Sequence, residues 1–183
     1  MRYLAVLLVS VFAAVAVVTT AFVVAHPAAE AAGGGYVGKC GGGKIFLNAD
    51  EKRSFYLHNE NRKDRNLRPL CVHPNLQKAA RAHSKDMIQR DYFSHTTKGR
   101  NESACERVRR YGYRFRACGE NIAYGSGAKG DPGEIMQAWM KSDGHRRNIL
   151  DGRFREVGIG AHTGTYRGTP NATMYTADFG SRR

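Results

Sequence analysis

The sequence lacks several patterns that mark metal, redox and nucleic-acid sites. It has four cysteines but no C-x-x-C pair, which excludes a zinc ribbon and a thioredoxin-type site. No H-E-x-x-H stretch places two histidines one turn apart on a helix. No basic patch is interleaved with aromatic residues, so we expect no specific nucleic-acid partner. Any chemistry must therefore come from residues that lie far apart in the chain.

Acidic residues are scarce. The 183 residues contain 29 lysines and arginines against 16 aspartates and glutamates, a net charge of +13. This balance favours anionic envelope or extracellular partners, such as teichoic acids, acidic polysaccharide and lipid headgroups. A simpler interpretation is that the charge keeps a secreted protein soluble, because the basic residues are scattered along the chain. The sequence leaves the oligomeric state open.

A long hydrophobic run occurs only at the N-terminus. Arg2 precedes an uncharged stretch over 3–25, and small residues follow as far as Ala32. This order predicts a secretory signal peptide over 1–32, cleaved near its end. The run exceeds the usual length of about 7–15 residues, so the alternative is an uncleaved anchor at the outer face of the cell membrane. Both alternatives place the rest of the chain outside the cytoplasm.

All four cysteines follow the predicted signal peptide. An even number of cysteines in an oxidising compartment predicts two disulfides, and three pairings are open. We favour Cys105–Cys118, which closes a short loop. Cys40–Cys71 would then attach the N-terminal arm to the domain.

The remaining chain divides into a glycine-rich segment over 33–47, predicted to be a flexible tether, and one domain over 48–183. Apolar periodicity and capping residues predict helices from Asn48 to about Asn66, from Pro74, from Ser103 to Gly112 and from Asp131 to Gly144. Extended structure is predicted over Tyr113–Tyr124, Glu156–His162 and Thr173–Gly180. Helices that precede and interrupt a small antiparallel sheet indicate an α+β fold.

Seven short segments occur in an order that resembles a known family. They are Asn59-x-x-Arg62, AAxxHSxDM (79–87), YFSH (92–95), GENIAYG (119–125), WxxSxGHRxNIL (139–150), EVGIG (156–160) and YTADFG (175–180). Together they closely resemble the bacterial SCP-like extracellular branch of the CAP superfamily, which includes the cysteine-rich secretory proteins. The resemblance covers roughly residues 48–180. It implies a three-layer α-β-α sandwich with an antiparallel sheet between helices.

The resemblance also implies a cleft with two histidines and two acidic residues. Matched by motif, these positions fall on His95, Glu120 and His145, while the second acidic position falls on Ser142. Two imidazoles and a carboxylate suit a divalent metal such as Zn²⁺, so His95, His145 and Glu120 are the candidate ligands. The alternative is a hydrogen-bonded polar cluster in which Glu120 orients one histidine. No cofactor is otherwise required.

A secreted binding or interaction module is the function that we favour from the sequence. The alternative is a hydrolase that uses Ser142, His145 and Glu120 as a triad, or a metal-activated water. The position of Ser142 on a regular helix, without a strained elbow, argues against the triad. Gly144 is expected to end that helix and turn His145 toward the cleft.

Three further expectations concern neighbouring residues. Arg146 and Arg147 are expected to lower the pKa of the adjacent histidine. His83 shares an apolar helix face and is assigned to the core. Asp178 is expected to act at a sheet edge or as a helix cap.

Overall fold

The computed structural model describes residues 33–182. Its elements in chain order are β1 (Gly35–Gly38), β2 (Lys44–Leu47), α1 (Ala49–Lys63), β3 (Cys71–Val72), α2 (Pro74–Gln89), α3 (Ala104–Arg110), β4 (Ala117–Ser126), α4 (Pro132–Lys141), α5 (Asp143–Leu150), β5 (Glu156–Tyr166) and β6 (Thr169–Ser181). The predicted signal peptide over 1–32 lies outside the described residues. Within 33–182 no helix has the length and apolar character needed to span a bilayer.

Three layers form the domain, as predicted. The central sheet has the strand order β3-β5-β6-β4, in which β5 and β4 pair antiparallel with β6, and the short β3 pairs parallel with β5. Helices α2 and α3 cover one face of the sheet, while α1, α4 and α5 cover the other. The last two strands are longer than the sequence predicted, because β5 and β6 continue into a tight hairpin through Arg167 and Gly168.

The face toward α1 and α4 is an apolar core. Alternate residues of β5 and β6 point into it: Val157, Ile159, Tyr175, Ala177 and Phe179. They pack with the single tryptophan, Trp139, which is 1% exposed. Burial of each large side chain contributes about 1.5–3 kcal/mol, so this face supplies much of the stability of the domain.

The face toward α2 is held by close backbone approach. A Cβ added at Gly158 would lie 2.1 Å from the carbonyl carbon of Leu76, and one at Gly160 would lie 2.3 Å from the carbonyl oxygen of Ala80. Real Cβ atoms do not come that close to backbone atoms. The two glycines of EVGIG therefore let α2 rest directly on β5.

Helix α1 begins and ends for identifiable reasons. Asn48 and Glu51 form a capping box at its start, as their spacing favours. Near its end the buried Arg62 donates hydrogen bonds to four backbone carbonyls, those of Arg68, Ile149, Asp151 and Phe154. This guanidinium ties the neighbouring chain segments to α1, which explains the Asn59-x-x-Arg62 motif.

The segment 33–47 differs from the flexible tether that was predicted. Strands β1 and β2 pair as an antiparallel hairpin, and Val37 and Leu47 are buried in the apolar core. The glycines over 41–43 all have positive φ, between +77° and +93°, and form the turn. Glycine-rich composition here serves a tight turn rather than a mobile linker.

Both expected disulfides are present. Cys40–Cys71 fastens the hairpin to β3, and Cys105–Cys118 joins α3 to β4. In the chain-entropy model, closure of the 13-residue loop contributes about 3 kcal/mol and closure of the 31-residue loop about 4 kcal/mol.

Candidate functional site

The candidate site lies at the edge of the sheet formed by β4, where the two helical layers meet. Glu120 belongs to β4, and its side chain points to the same face as Asp178, its partner in the β4–β6 register. His95 lies in the loop that follows α2, and His145 lies in the first turn of α5, in the opposite layer. The fold thus brings residues from both layers to one strand.

His95 is held by Glu120. The imidazole Nδ1 lies 2.7 Å from Oε1 of Glu120. The carboxylate side chain is 2% exposed, whereas the imidazole is 56% exposed. Because a carboxylate oxygen accepts, Nδ1 carries the hydrogen in the neutral imidazole and Nε2 carries the lone pair. This Nε2 has no hydrogen-bond partner among residues 33–182, so it is suited to bind a metal ion or to accept a hydrogen bond from a ligand.

Glu120 is fixed from behind by Arg107 of α3. The guanidinium, 1% exposed, binds Oε2 of Glu120. Its other terminal nitrogen donates to the carbonyl of His95 at 3.2 Å and to Oγ1 of Thr97 at 3.1 Å. Arg107 therefore positions both the carboxylate and the histidine loop, and no motif in the sequence pointed to it.

Asp178 lies in the middle of this cluster, not at a sheet edge or a helix cap as expected. It is completely buried, and neither carboxyl oxygen has a hydrogen-bond partner within the described part of the chain. Burial raises the pKa of this carboxyl well above its usual range, and the negative charge of Glu120 raises it further. A neutral Asp178 avoids a second negative charge beside Glu120.

The interruption between the two helices that precedes His145 falls at a different residue from the one predicted. Helix α4 ends at Lys141, and Ser142 adopts an extended conformation with φ −95° and ψ 122°. Gly144 lies inside the first turn of α5 and ends no helix. The change of direction therefore comes from Ser142.

His145 is anchored by the same serine. Its Nδ1 lies 2.9 Å from Oγ of Ser142, and its ring centroid lies 6.5 Å from that of Trp139. Its Nε2 has no hydrogen-bond partner among the described residues. Both histidines of the cleft are thus attached through Nδ1.

The pKa of His145 is lowered, as expected, but not by the adjacent arginines. Burial is the main cause, and the charge of His95 is the second. Arg146 donates instead to Asp143 at 2.5 Å, and Arg147 is exposed. His145 therefore responds to the charge of the histidine from the opposite layer.

Two asparagines connect α5 to β4. Asn121 donates to the carbonyl of His145 at 3.0 Å, and Asn148 donates to the carbonyl of Glu120 at 3.1 Å. A third hydrogen bond of 2.9 Å joins the two asparagine side chains. The asparagines of the ENIA and RxNIL motifs therefore hold the cleft together, a role that the motifs alone did not reveal.

The predicted metal ligands do not form a compact three-ligand cage. Among residues 33–182, the one His/Cys/Asp/Glu trio with ligand atoms within 4.8 Å of one another contains Cys40, Cys71 and Glu156. Its cysteines are joined in a disulfide and cannot serve as thiolate ligands. In the cleft both oxygens of Glu120 are engaged, so two imidazole nitrogens are the available donors.

Ser142, His145 and Glu120 do not have the contacts of a Ser-His-acid catalytic triad. Ser142 contacts Nδ1 of His145, the nitrogen that faces the acid in a Ser-His-acid triad. Glu120, the intended acid, binds His95 instead. His83, assigned to the core, is 1% exposed and binds the carbonyl of Ser94 at 2.9 Å.

The three-layer fold is that of a CAP domain. The model of the cysteine-rich secretory protein (CAP) family matches residues 55–179, and the chain belongs to this family.

Similar proteins occur in bacteria. The chain is 38% identical over 114 residues to the uncharacterized protein YkwD of Bacillus subtilis (strain 168). The matched region covers 62% of this chain and 43% of YkwD. The chain is 31% identical over 117 residues to the uncharacterized membrane protein YlbC of the same strain, covering 64% and 33%. The chain spans less than half the length of either relative.

Solved structures share the fold. An extracellular protein of Bacillus anthracis str. Ames that contains an SCP domain has a TM-score of 0.62 and 27% identity, covering 78% of this chain and 47% of that protein. An outer surface protein from Borrelia burgdorferi has a TM-score of 0.63 and 21% identity, covering 82% and 99%. At 21% identity, the likeness to the Borrelia burgdorferi protein concerns the fold alone.

Proposed function

We propose that this CAP-family chain is an extracellular binding module whose cleft of His95, Glu120 and His145 holds a divalent metal such as Zn²⁺. The observation that carries the proposal is the shared anchoring of both imidazoles through Nδ1. Glu120 holds one ring at 2.7 Å, and Ser142 holds the other at 2.9 Å. Both Nε2 atoms remain for an incoming ligand.

The donor set fits a weak site for such an ion. Neutral imidazole is a common ligand of Zn²⁺, and the lowered pKa of His145 favours its neutral form. Glu120 has the place of a carboxylate that orients a ligating histidine, which raises the basicity of the ring. When bound, the ion would supply a Lewis acid with open positions for water or an anionic ligand.

Anionic envelope or extracellular molecules, lipids among them, are the proposed partners of the module. The net charge of +13 supports this class, because it attracts negative surfaces and polymers. An extracellular location is supported by the two disulfides and by the similar proteins described as extracellular or outer-surface.

Hydrolysis is the second candidate function. One observation favours it, the 2.9 Å contact between Ser142 and His145. The opposing geometry is stronger, because the acid that would complete the triad binds the other histidine. The chain is therefore proposed to bind rather than to cleave.

Calorimetric titration of the full chain with Zn²⁺ tests the metal proposal. We expect one saturable site, with affinity reduced about tenfold or more in His95→Ala and in His145→Ala. His162→Ala, which changes a half-buried histidine on β5, is the matched control and should bind like the wild type. Equal affinity in all four proteins would refute the cleft as the metal site.

Flotation with lipid vesicles tests the ligand class. The full chain should bind vesicles that contain an anionic phospholipid and should release them as salt is added, while neutral vesicles should bind weakly. Wild-type binding that is equal for neutral and anionic vesicles would contradict the charge argument.

A further inference from the structure

A cavity of about 420 Å³ lies between α2, α3 and the loop over 97–100. Its lining contains none of His95, Glu120 and His145, but it does contain Arg107, whose guanidinium binds Glu120. Its lining includes five cationic residues, Lys85, Arg90, Arg100, Arg107 and Arg110. One acidic residue, Asp86, also lines it. The lining therefore carries a surplus of positive charge.

Acidic neighbours neutralise part of this charge. Glu102 binds Arg110 through two hydrogen bonds of 2.6 and 3.0 Å. Asp86 lies 3.5 Å from Arg90 and also accepts a hydrogen bond of 2.5 Å from the hydroxyl of Tyr92. Asp86 is thus already engaged and opposes an incoming anion less than a free carboxylate would.

Two cations remain without a carboxylate. The side chains of Lys85 and Arg100 are exposed and have no hydrogen bond or ion pair with any residue in 33–182. Exposed side chains of this kind change rotamer within picoseconds to nanoseconds. They can therefore move aside to admit a small ligand and then turn toward its charge.

Two residues that line the cavity, Arg107 and His83, each contain a buried polar atom that lacks a partner. Arg107 and His83 are each 1% exposed. Nε of Arg107 and Nδ1 of His83 are buried, and neither atom has a hydrogen bond within the described residues. Native structures leave few such atoms unsatisfied, and each requires an explanation.

These two atoms have opposite hydrogen-bonding roles. The Nε of Arg107 carries a hydrogen and donates. His83 donates through Nε2 to the carbonyl of Ser94, so its neutral ring has a lone pair on Nδ1 and accepts. Burial lowers the pKa of His83 to about 4, which keeps the ring neutral at physiological pH. The wall therefore suits a group that offers one acceptor and one hydroxyl donor.

We propose that this cavity binds a phosphate monoester or hydrogen phosphate. Its ionised oxygens accept from Arg107 Nε and from the side chains of Lys85 and Arg100, and its P–OH group donates to His83 Nδ1. A phosphodiester lacks the hydroxyl hydrogen, as does sulfate near neutral pH. The inference does not depend on metal binding in the cleft, because it uses a different cavity and different donors.

Ligand discrimination by the full chain is the first test. Calorimetry at about pH 6, near the second pKa of a phosphate monoester, compares inorganic phosphate and glycerol phosphate with dimethyl phosphate and sulfate. We expect saturable binding of the first two and affinity about tenfold lower or more for the others, because they leave His83 Nδ1 unsatisfied. Absence of saturable phosphate binding, or equal binding of sulfate, would overturn the proposal.

A charge-matched pair of double variants is the second test. Lys85→Ala with Arg100→Ala should lower the affinity for inorganic phosphate about tenfold or more, since two charged contacts are lost. Lys129→Ala with Arg116→Ala removes the same charge at exposed positions away from the cavity and should bind like the wild type. An equal loss in both double variants would overturn the proposal in favour of general attraction of anions.

Discussion

The two faces of the sheet are built on different principles. Toward α1 and α4, large apolar side chains such as Phe179 and Trp139 fill the space between layers. Toward α2, glycines bring the helix down to the sheet, and the hydroxyl of Ser84 donates to the carbonyl of Gly160 at 3.0 Å and shares a hydrogen bond of 2.9 Å with the hydroxyl of Thr176. The hydroxyls of Ser84 and Thr176 are satisfied on this second face because backbone and hydroxyl partners lie near them.

The two carboxyl groups of the candidate site also lie on the polar face, whereas His145 approaches from the opposite layer. Glu120 and Asp178 are neighbours on adjacent strands on the polar face, and Arg107 reaches Glu120 from α3. A cluster of charges would be costly in the apolar core opposite, because its large hydrophobic side chains offer no hydrogen bonds. The comparison therefore assigns stability mainly to the apolar face and the charged part of the site to the polar face, and four predictions test this division.

Close approach on the polar face should have the largest single effect. Gly158→Ala is expected to lower the free energy of unfolding by about 3 kcal/mol or more, because the new Cβ collides with the backbone of α2 rather than with a movable side chain. Urea denaturation measures the change. Gly152→Ala, whose Cβ would meet only Leu67 at 3.9 Å, is the control, and equal stability of the two variants would refute the close approach.

The buried guanidinium in the opposite layer is expected to contribute about as much. Arg62→Met should cost about 3 kcal/mol, because four carbonyls lose their donor. Arg65→Met removes one hydrogen bond of 3.0 Å at the surface of the same chain segment and should cost about 0.5 kcal/mol or less. Thermal unfolding of both variants checks the difference. A loss in Arg62→Met no greater than in Arg65→Met would count against it.

Each face also contains one histidine that stays neutral when folded. Burial lowers the pKa of His58, on the α1 side, and of His83, on the α2 side, to about 4. In the unfolded state each ring has a pKa of about 6.5. Between about pH 4 and 6.5 the unfolded state therefore binds more protons than the folded state. Stability is therefore full above that window and falls as the pH drops through it.

The expected loss between about pH 7 and pH 5 is about 2 kcal/mol for each histidine. Urea denaturation at several pH values measures the slope. His58→Phe should remove about half of it, while His162→Ala, which changes a half-buried ring, should change it little. A slope that is unaltered in His58→Phe would mean that this ring does not carry the effect.

The smallest effect is expected at Ser142. Its hydroxyl makes a half-exposed hydrogen bond to His145, so Ser142→Ala should cost about 0.5–1 kcal/mol and change the affinity for Zn²⁺ only a few-fold. The same variant is also the test of the hydrolase alternative. Any ester or peptide hydrolysis that is present in the wild type and abolished in Ser142→Ala would revive the serine mechanism.

Local signals in the sequence predicted much of the fold. The capping box at Ser103 marked a helix start, because a side chain three residues away satisfies a free backbone amide. Glycine was less reliable. The run over 41–43 closes a hairpin, and Gly144 lies within a helix that Ser142 had already separated from α4. Glycine permits many conformations, so its presence alone does not distinguish a turn from a tether or a helix end.

The site was predicted only in part. Matching motifs located His95, Glu120 and His145, whereas Arg107 and Asp178 gave no local signal of their role. That role depends on the register between β4 and β6 and on the packing of α3 against β4, and both are set by contacts between distant segments. A lone arginine on a short helix and an aspartate in a buried strand acquire meaning only when that register is known.

The central claim is that two imidazoles from opposite layers act together through their Nε2 atoms. Long-range ¹H–¹⁵N NMR of the histidine rings during titration with Zn²⁺ tests it most directly. The account predicts that the Nε2 signals of His95 and His145 shift together at the same zinc concentration, while those of His58 and His83 stay unchanged. Shifts of the two cleft rings at clearly different concentrations, or no shift in either, would contradict it.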